Sequence, residues 1–196
     1  AHQYEYSPVN LQLAYTPPGL GAGDTQTSYE YSKDRRLLKA TRPDGKTVDL
    51  SYNNADRLET VTIPRGTYSY TYDPTTGQIA NIMAPDGGSL SMSYDGTLIT
   101  EAVWAGSVAG TVSRNYNNDL QVTSRSINGA HVVELAYDDD GLLNQAGDLM
   151  LTRDAGNGRV VGSVLGSIGD TRTYNGFGER ESYSADYGGT PLIEFQ

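Results

Sequence analysis

The chain has 196 residues, among them 23 Gly, 15 Tyr, two Phe and no Cys, and its formal net charge is -10. Without Cys it has no disulfides, and no run of eighteen apolar residues predicts insertion into a bilayer. From Ala1 to Arg65 the acidic and basic side chains are equal in number, eight of each, so the acidic excess lies in the remainder. Because phosphate groups are bound by cationic patches, this balance argues against nucleic acid and anionic membranes as partners.

Tyrosines recur along the chain at nearly equal steps from Tyr31 to Tyr137. A constant period of about twenty residues indicates a small supersecondary unit that is copied in tandem and stabilised by its neighbours. We call these residues the anchors. The anchor tyrosines are Tyr6, Tyr31, Tyr52, Tyr72, Tyr94, Tyr116, Tyr137 and Tyr174.

The first step, from Tyr6 to Tyr31, is longer than those that follow it. It contains the glycine cluster Gly19-Leu20-Gly21-Ala22-Gly23. No helix pattern follows this cluster, which argues against a phosphate-binding loop. We interpret it as a long linker between copies.

Each copy contains two turn signals. The first turn follows the anchor, as in Tyr72-Asp73-Pro74-Thr75-Thr76-Gly77, where the Asp side chain can bond backbone amides two residues on. The second is Pro-x-Gly, as in Pro85-Asp86-Gly87, or Asn128-Gly129, a strong hairpin signal. Two turns in so short a unit leave room for two strands and for no helix. The turn glycines are Gly45, Gly66, Gly77, Gly87, Gly129, Gly141 and Gly158.

Between the turns, residue types alternate with period two. Val48, Leu50 and Tyr52 share one face, and Asp49 and Ser51 share the other. A slip of one residue would move the tyrosines to the wrong face, so the pattern fixes the register. We therefore predict an all-β fold of tandem β-hairpins in one continuous antiparallel sheet, curved into a partial spiral shell or an open barrel wall.

A gap nearly twice the usual step separates Tyr137 from Tyr174, and it hides a further copy. Arg153 stands where the tyrosine is expected, and Asp154 to Gly158 match the first turn that follows. The shorter step before Arg153 fits an abbreviated hairpin that turns near Gly147-Asp148. We predict a single array of about nine copies over residues 1–196. Because the chain begins without Met, we expect a fragment of a larger shell protein.

The residues that usually carry chemistry are few. His2 lies near the start, and His131 is expected to be a packed or rim residue, so neither suggests a catalytic site. No Gly-x-Ser-x-Gly elbow is present, and two distant histidines provide no zinc ligand set. Asp138-Asp139-Asp140-Gly141 lacks the ligand spacing of a calcium loop and matches the first turn. We expect no enzyme activity, no cofactor and no metal.

Trp104 is the only Trp, in a copy that lacks the Pro-x-Gly turn and is expected to bulge or to carry a longer loop. Two interpretations stay open. In the first, Trp104 is buried against a neighbouring hairpin. In the second, it is exposed beside tyrosines and belongs to a ligand patch for glycan or protein.

The repeat resembles the YD repeat of the RHS and teneurin families, which include bacterial RHS toxins and wall-associated proteins, the shell proteins of Tc toxins, and teneurins. The segments that carry the resemblance are residues 31–37 with Pro43-Asp44-Gly45, Tyr72-Asp73 with Gly77 and Pro85-Asp86-Gly87, residues 137–143, and residues 174–179. The resemblance implies consecutive hairpins in a sheet that spirals into a shell.

The resemblance also implies a function. The segment would be a structural part of a shell that encapsulates or presents a polypeptide, in toxin delivery or at the cell surface. The alternative is an adhesion or recognition module that binds glycan or protein. The implied partners are neighbouring repeats of the parent protein and an enclosed toxin domain, and the implied location is secreted or cell surface. Unpaired sheet edges predict self-association as well.

Two features of the family have no counterpart in this sequence. Complete shells are several times longer than this chain, so it can form only part of a wall. The segment that ends the family's core, with Asp-Pro-x-Gly and a self-cleavage site, is not found here. Any autoproteolysis would therefore lie outside this segment.

Overall fold

A computed structural model describes residues 1–19 and 26–195. Within those residues the chain forms 19 strands and no helix. Most of the glycine cluster interpreted as a linker, from Leu20 to Gly23, lies outside the described residues, as does Gln196.

The strands are short, with four to eight residues each, as two turns per copy predict. The first nine are β1 Gln3–Tyr6, β2 Gln12–Thr16, β3 Thr27–Tyr31, β4 Leu37–Thr41, β5 Thr47–Tyr52, β6 Leu58–Ile63, β7 Gly66–Tyr72, β8 Ile79–Met83 and β9 Ser89–Asp95. The others are β10 Leu98–Ala105, β11 Gly110–Tyr116, β12 Val122–Ile127, β13 Ala130–Tyr137, β14 Leu143–Ala146, β15 Leu149–Arg153, β16 Val160–Leu165, β17 Ile168–Tyr174, β18 Arg180–Tyr187 and β19 Thr190–Phe195.

The strands belong to one sheet, in which strands that follow each other in the chain pair antiparallel. This confirms the predicted all-β array of tandem hairpins. The chain divides into two compact units, Ala1–Ser93 with Ala102–Ala109, and Tyr94–Glu101 with Gly110–Gln196. In the first unit the pairing runs from β1 to β9, and in the second from β11 to β19.

At the first turn of eight copies the register shifts by one residue, immediately before the anchor. Thr71 still pairs with Asn81 in step, whereas Tyr72 pairs with Ile79. The shift is a bulge that re-aims the anchor side chain at the end of its strand. The same shift gives the anchor pairs Tyr6–Gln12, Tyr31–Leu37, Tyr52–Leu58, Tyr116–Val122, Tyr137–Leu143, Arg153–Val160 and Tyr174–Arg180.

The sheet has almost no enclosed core. Among the described residues only Ala14, Ala102, Ser124 and Gly162 are buried, and no large side chain is fully buried. All six residues of β5 are half-buried, the apolar and the polar ones alike. The alternating pattern thus marks two faces of a single layer, rather than an inside and an outside of a globule.

The polar face is held by cross-strand hydrogen bonds between small side chains. Asn115 Nδ2 donates to Ser124 Oγ at 2.8 Å, across the β11–β12 pair. Directly opposed hydroxyls and amides contribute to sheet stability in this way. Equivalent bonds join Ser51 to Thr60, Thr62 to Thr67, Asn81 to Ser91, Thr171 to Ser184, and Thr173 to Ser182.

Asn128 and Gly129 form the two-residue turn between β12 and β13, with φ of 53° and 68°. Both values are positive, as a type I′ turn requires. His131 follows with φ of 50°, where the register of β13 shifts again. Its side chain is exposed, as are Val132 and Val133. The abbreviated hairpin turns at Gly147 and Asp148, between β14 and β15.

Candidate functional site: the anchor ladder and the Trp104 cleft

Six of the anchor tyrosines and Arg153 reach back with their side chains to the preceding hairpin. Tyr72 Oη donates to the carbonyl of Leu58 at 2.6 Å, and Leu58 is the residue that pairs with the preceding anchor, Tyr52. Tyr52 in turn donates to the carbonyl of Leu37 at 3.0 Å. We call this series of bonds the anchor ladder. Its other tyrosine rungs join Tyr31 to Gln12, Tyr116 to Ile99, Tyr137 to Val122, and Tyr174 to Val160.

Arg153 occupies the anchor position of its copy and makes the same type of contact. Its Nε and Nη2 donate to the carbonyl of Leu143 at 2.9 and 2.7 Å. Leu143 pairs with the preceding anchor, Tyr137. Nη1 also donates to the carbonyl of Gly158 in the turn of its own copy, at 2.7 Å. The planar guanidinium therefore replaces the phenol and adds a bond that a phenol cannot make.

Tyr6, the first anchor, lacks such a rung among the described residues. Its side chain is 54% exposed, and its ring stacks at 6.4 Å on Tyr4. Tyr4 in turn contacts Tyr15 at 5.1 Å. Tyr6 is therefore an internal reference for an anchor whose hydroxyl makes no ladder bond.

In seven copies the side chain of the residue after the anchor accepts two backbone amides of the first turn. Asp73 Oδ1 accepts bonds from the amides of Thr76 and Thr75 at 2.7 and 2.8 Å and from the Thr76 hydroxyl. These bonds, the Thr76 amide first, hold the pKa of Asp73 below its usual value of 3.8, because they favour the ionised carboxylate. Two backbone amides are accepted in the same way by Ser32, Asn53, Asn117, Asp138, Asp154 and Asn175.

The last residue of the first turn has a positive φ, and it is glycine in only some copies. Glycines 77, 141 and 158 have φ of 76°, 76° and 71°. Non-glycine residues adopt similar values elsewhere, at Asn10, Arg35, Asp56 and Leu120. The general Asp-x-x-x-Gly pattern therefore describes the backbone of the turn, whereas the residue type varies between copies.

Side chains of the preceding copy determine which residue type fits at the last position of the first turn. A Cβ on Gly158 would lie 2.5 Å from Leu142 Cδ1, and one on Gly77 would lie 3.1 Å from Arg57 Nη1. At the corresponding place in another copy, the carboxylate of Asp56 pairs with Arg36 Nη1 at 2.7 Å. A side chain of one turn thus lies over the next turn and either requires glycine or binds a carboxylate.

The same arginines also cover the next anchor ring. The guanidinium of Arg57 lies 4.4 Å from the ring centre of Tyr72, a cation–π contact. Arg36 lies 5.3 Å from the ring centre of Tyr52. Arg159 covers Tyr174 at 5.5 Å. These anchors are held by their hydroxyls and by their ring faces.

At the second turns, glycine permits a positive φ or a close approach. Gly45 and Gly87 have φ of 75° and 83°, with open space where a Cβ would be. Gly66 has φ of 137°, and a Cβ there would lie 2.5 Å from Cβ of Pro85. Gly66 therefore allows its turn to contact the turn that contains Pro85.

Trp104 lies in a cleft in the first compact unit. The cleft has a volume of about 330 Å³, and its walls include Tyr68, Ile82 and Leu90. Trp104 is 40% exposed, and Val108 in the same cleft is 79% exposed. The structure thus places the Trp beside a Tyr, partly open to solvent, rather than fully buried against a neighbouring hairpin.

The loop after Trp104 helps to form this cleft. Four residues, 106–109, connect the strand that ends at Ala105 to the one that begins at Gly110, compared with five at the Pro-x-Gly turns of residues 42–46 and 84–88 and two at residues 64–65 and 128–129. Gly106 has φ of 112°, and a Cβ there would lie 2.9 Å from Cα of Gly88. The loop is therefore not longer than the turns at residues 42–46 and 84–88, contrary to the longer loop expected from the sequence, and Gly106 allows it to approach the preceding turn.

Elsewhere in the part of the chain that the structure describes, polar side chains form small local clusters, as where Asp170 accepts bonds from Ser163 and Arg172 at 2.7 and 2.9 Å. There, no group of three or more His, Asp and Glu side chains could hold a metal ion. Asp138 of the Asp-rich segment accepts the amides of Asp140 and Leu142 and so stabilises its turn. The Nδ1 atom of His2 lies 2.9 Å from the hydroxyl of Tyr15. Over residues 1–19 and 26–195, no helix has the length and apolar character needed to cross a membrane.

Comparison with known proteins agrees with this geometry. The family model described as Teneurin YD-shell matches residues 1–195. The chain belongs to this family, which confirms the YD-repeat resemblance. No curated protein matches the chain.

Solved structures with the same fold are components of Tc toxins. The Photorhabdus luminescens Tc holotoxin pore with a TccC3 mutation matches with a TM-score of 0.79 at 15% identity, over 98% of this chain and 11% of that chain. TcdB2-TccC3-TEV matches with a TM-score of 0.70 at 15% identity, over 98% and 12%. TcdB2-TccC3 without its hypervariable C-terminal region matches with a TM-score of 0.67 at 14% identity, over 94% and 11%. The chain therefore spans about an eighth of the length of these proteins.

Proposed function

We propose that the chain is a wall segment of a YD shell that encloses or presents a polypeptide. The anchor ladder carries this proposal, because successive anchors such as Tyr52, Tyr72 and Arg153 bind the backbone of the preceding hairpin and so continue a thin wall without a globular core. Family membership supports it, as does the likeness in fold to TcdB2-TccC3, a protein with a hypervariable C-terminal region. The repeats form a single array whose function is mechanical.

A mechanical role is consistent with the contacts of the polar side chains, which bind other groups of the wall. Asp73 and its equivalents bind turn amides, Arg153 binds two carbonyls, and Arg57 covers an anchor ring. These groups stabilise the wall and are not free for acid–base or nucleophilic chemistry. We therefore propose a segment without catalytic activity.

A second candidate function is recognition of another molecule at the outer or inner surface of the shell. The observation that favours it is the Trp104 cleft, because exposed aromatic side chains in a concave site are typical of binding surfaces. Wall and recognition functions are compatible within one array.

The proposed partners follow from the wall function. They are neighbouring repeats of the parent protein, an enclosed toxin domain, and further strands at exposed sheet edges. All six residues of β19 are exposed, among them Leu192, Ile193 and Phe195, which supports association at that edge. We propose that the parent protein acts outside the cell or at its surface.

Limited proteolysis of the full-length gene product tests the enclosure. We expect one polypeptide region to resist protease in the intact protein and to be cleaved once the wall is loosened by the double variant Tyr72→Phe and Tyr137→Phe. The double variant Tyr4→Phe and Tyr6→Phe is the matched control, because neither hydroxyl makes a ladder bond in the described structure. Equal cleavage of all regions in the intact protein would contradict enclosure.

A further inference from the structure

The Trp104 cleft contains apolar surface that the fold of the described chain does not cover. Trp104, the only Trp of the chain, is 40% exposed, and Val108 beside it is 79% exposed. A concave site with two aromatic walls differs from the scattered single apolar residues that any protein surface shows. Its volume of about 330 Å³ lies at the lower end of the range for ligand sites.

The chemistry of the lining discriminates between ligand classes. Ile82, Leu90 and Val108 provide walls that cannot form hydrogen bonds, and Asp86 and Ser89 are among the few polar side chains that line the cleft. A saccharide carries many hydroxyl groups, and each one that loses water without a new partner costs free energy. An apolar side chain loses no hydrogen bonds on entry. The lining therefore favours an aromatic or branched aliphatic side chain over a sugar ring.

The charge of the cleft gives a second criterion. Asp86 is the charged residue in its lining, and its Oδ1 accepts the amide of Gly88 at 3.1 Å. The guanidinium of Arg65, which is not part of the lining, keeps its charge and donates to the hydroxyl of Tyr68 at 2.8 Å. On the Asp86 side of the cleft, a cationic neighbour on the ligand would meet an opposite charge, whereas an acidic one would be repelled.

We infer that the Trp104 cleft binds a polypeptide segment by one apolar side chain flanked by Lys or Arg. The side chain packs between Trp104 and Tyr68, and the cationic neighbour lies near Asp86. The inference rests on the proposed recognition function and specifies its partner as a polypeptide.

Titration of the full chain with short peptides tests the inference. The probes are the N-acetylated and C-amidated pentapeptides Gly-Lys-Phe-Lys-Gly, Gly-Glu-Phe-Glu-Gly and Gly-Lys-Ser-Lys-Gly, together with maltotriose. Binding is followed by amide chemical shifts and by the fluorescence of Trp104, which reports on this cleft alone. We expect saturable binding of the Lys-Phe-Lys peptide with shifts at Leu90 and Val108, at least threefold weaker binding of the Glu-flanked peptide at low salt, and no binding of the Ser peptide.

Matched variants locate the site. Trp104→Ala should weaken Lys-Phe-Lys binding at least tenfold, and Val108→Ser several-fold, by chemical shift. Val132→Ser makes the same substitution at another exposed valine, in the other compact unit, and should leave binding unchanged. An unchanged amide spectrum away from the cleft shows that a variant is folded.

The outcomes separate this inference from the wall function. Saturable maltotriose binding that Trp104→Ala abolishes, without peptide binding, would replace the inference by a saccharide site. Failure of every probe to bind would overturn it. Neither result affects protease protection by the wall, and loss of protection with peptide binding intact would remove enclosure while leaving the cleft as a peptide site.

Discussion

The hydroxyl of Tyr72 should contribute measurably to stability, whereas that of Tyr6 should not. Tyr72→Phe removes one oxygen atom and with it the 2.6 Å bond to the carbonyl of Leu58. The ring and its contact with Arg57 at 4.4 Å remain. Tyr6→Phe removes the same atom from an anchor whose hydroxyl makes no ladder bond in the described structure.

The expected loss can be estimated from the surroundings of the bond. A net intramolecular hydrogen bond contributes about 1 kcal/mol, and a buried acceptor left without its donor costs about 1–3 kcal/mol. The bond is only partly buried, so water can reach the vacated carbonyl of Leu58. We therefore expect Tyr72→Phe to lower the free energy of unfolding by about 1 kcal/mol. For Tyr6→Phe we expect a change within about 0.5 kcal/mol, as for most exposed substitutions.

Urea denaturation followed by circular dichroism measures both variants on the same chain. The comparison relies on the difference between two variants that lose the same atom, so effects on the unfolded chain largely cancel. Equal stability of Tyr72→Phe and Tyr6→Phe would refute the view that anchor hydroxyls tie each hairpin to the one before it.

Three further predictions concern other parts of the repeat. Arg153→Lys keeps the charge and loses the planar guanidinium, and it should lower the free energy of unfolding measured by urea denaturation by about 1–2 kcal/mol. Unchanged stability would show that the three hydrogen bonds of Arg153 contribute nothing. Gly87→Ala should lower the free energy of unfolding by about 1 kcal/mol, because Gly87 has a positive φ that alanine adopts at a cost. Leu120→Gly, at another positive φ, should raise it by up to about 0.5 kcal/mol. A more stable Gly87→Ala variant together with a less stable Leu120→Gly variant would contradict the turn geometry. Because turn amides, foremost that of Thr76, lower the pKa of Asp73, its stabilising effect is present above pH 3.8 and is lost as the pH falls through the lowered pKa. An NMR titration that places this pKa at 3.8 or higher would exclude those bonds, and Asp73→Asn, which keeps the accepting oxygen, should remove this part of the acid dependence.

Much of the fold could be predicted because the same strand and turn signals recur in successive copies of the repeat. Alternation in Val48, Leu50 and Tyr52 defines a strand and its faces, and glycine and proline mark the turns. Recurrence of the anchors at a nearly constant step turned weak local signals into a confirmed array. Even the copy without a tyrosine could be found, because Asp154 to Gly158 keep the turn spacing.

What escaped prediction depends on contacts between copies. Whether the last turn residue is Gly158 or Asp56 depends on whether Leu142 or Arg36 of the preceding turn lies over it. The acceptor of each anchor hydroxyl lies 14–19 residues away in the tyrosine rungs, so no local pattern names it. The exposure of Trp104 likewise depends on the loop at residues 106–109, whose path the sequence does not specify.

The central claim is that the anchors of the ladder bind the backbone of the hairpin before them, and the carbonyl of Val122 reports on this most directly. Tyr137 Oη donates to that carbonyl at 2.9 Å, across 15 residues of sequence. In Tyr137→Phe, the carbonyl ¹³C shift of Val122 should move in the direction of a lost hydrogen bond, with little change at the other anchor acceptors. An unchanged Val122 carbonyl shift in the folded variant would contradict the ladder.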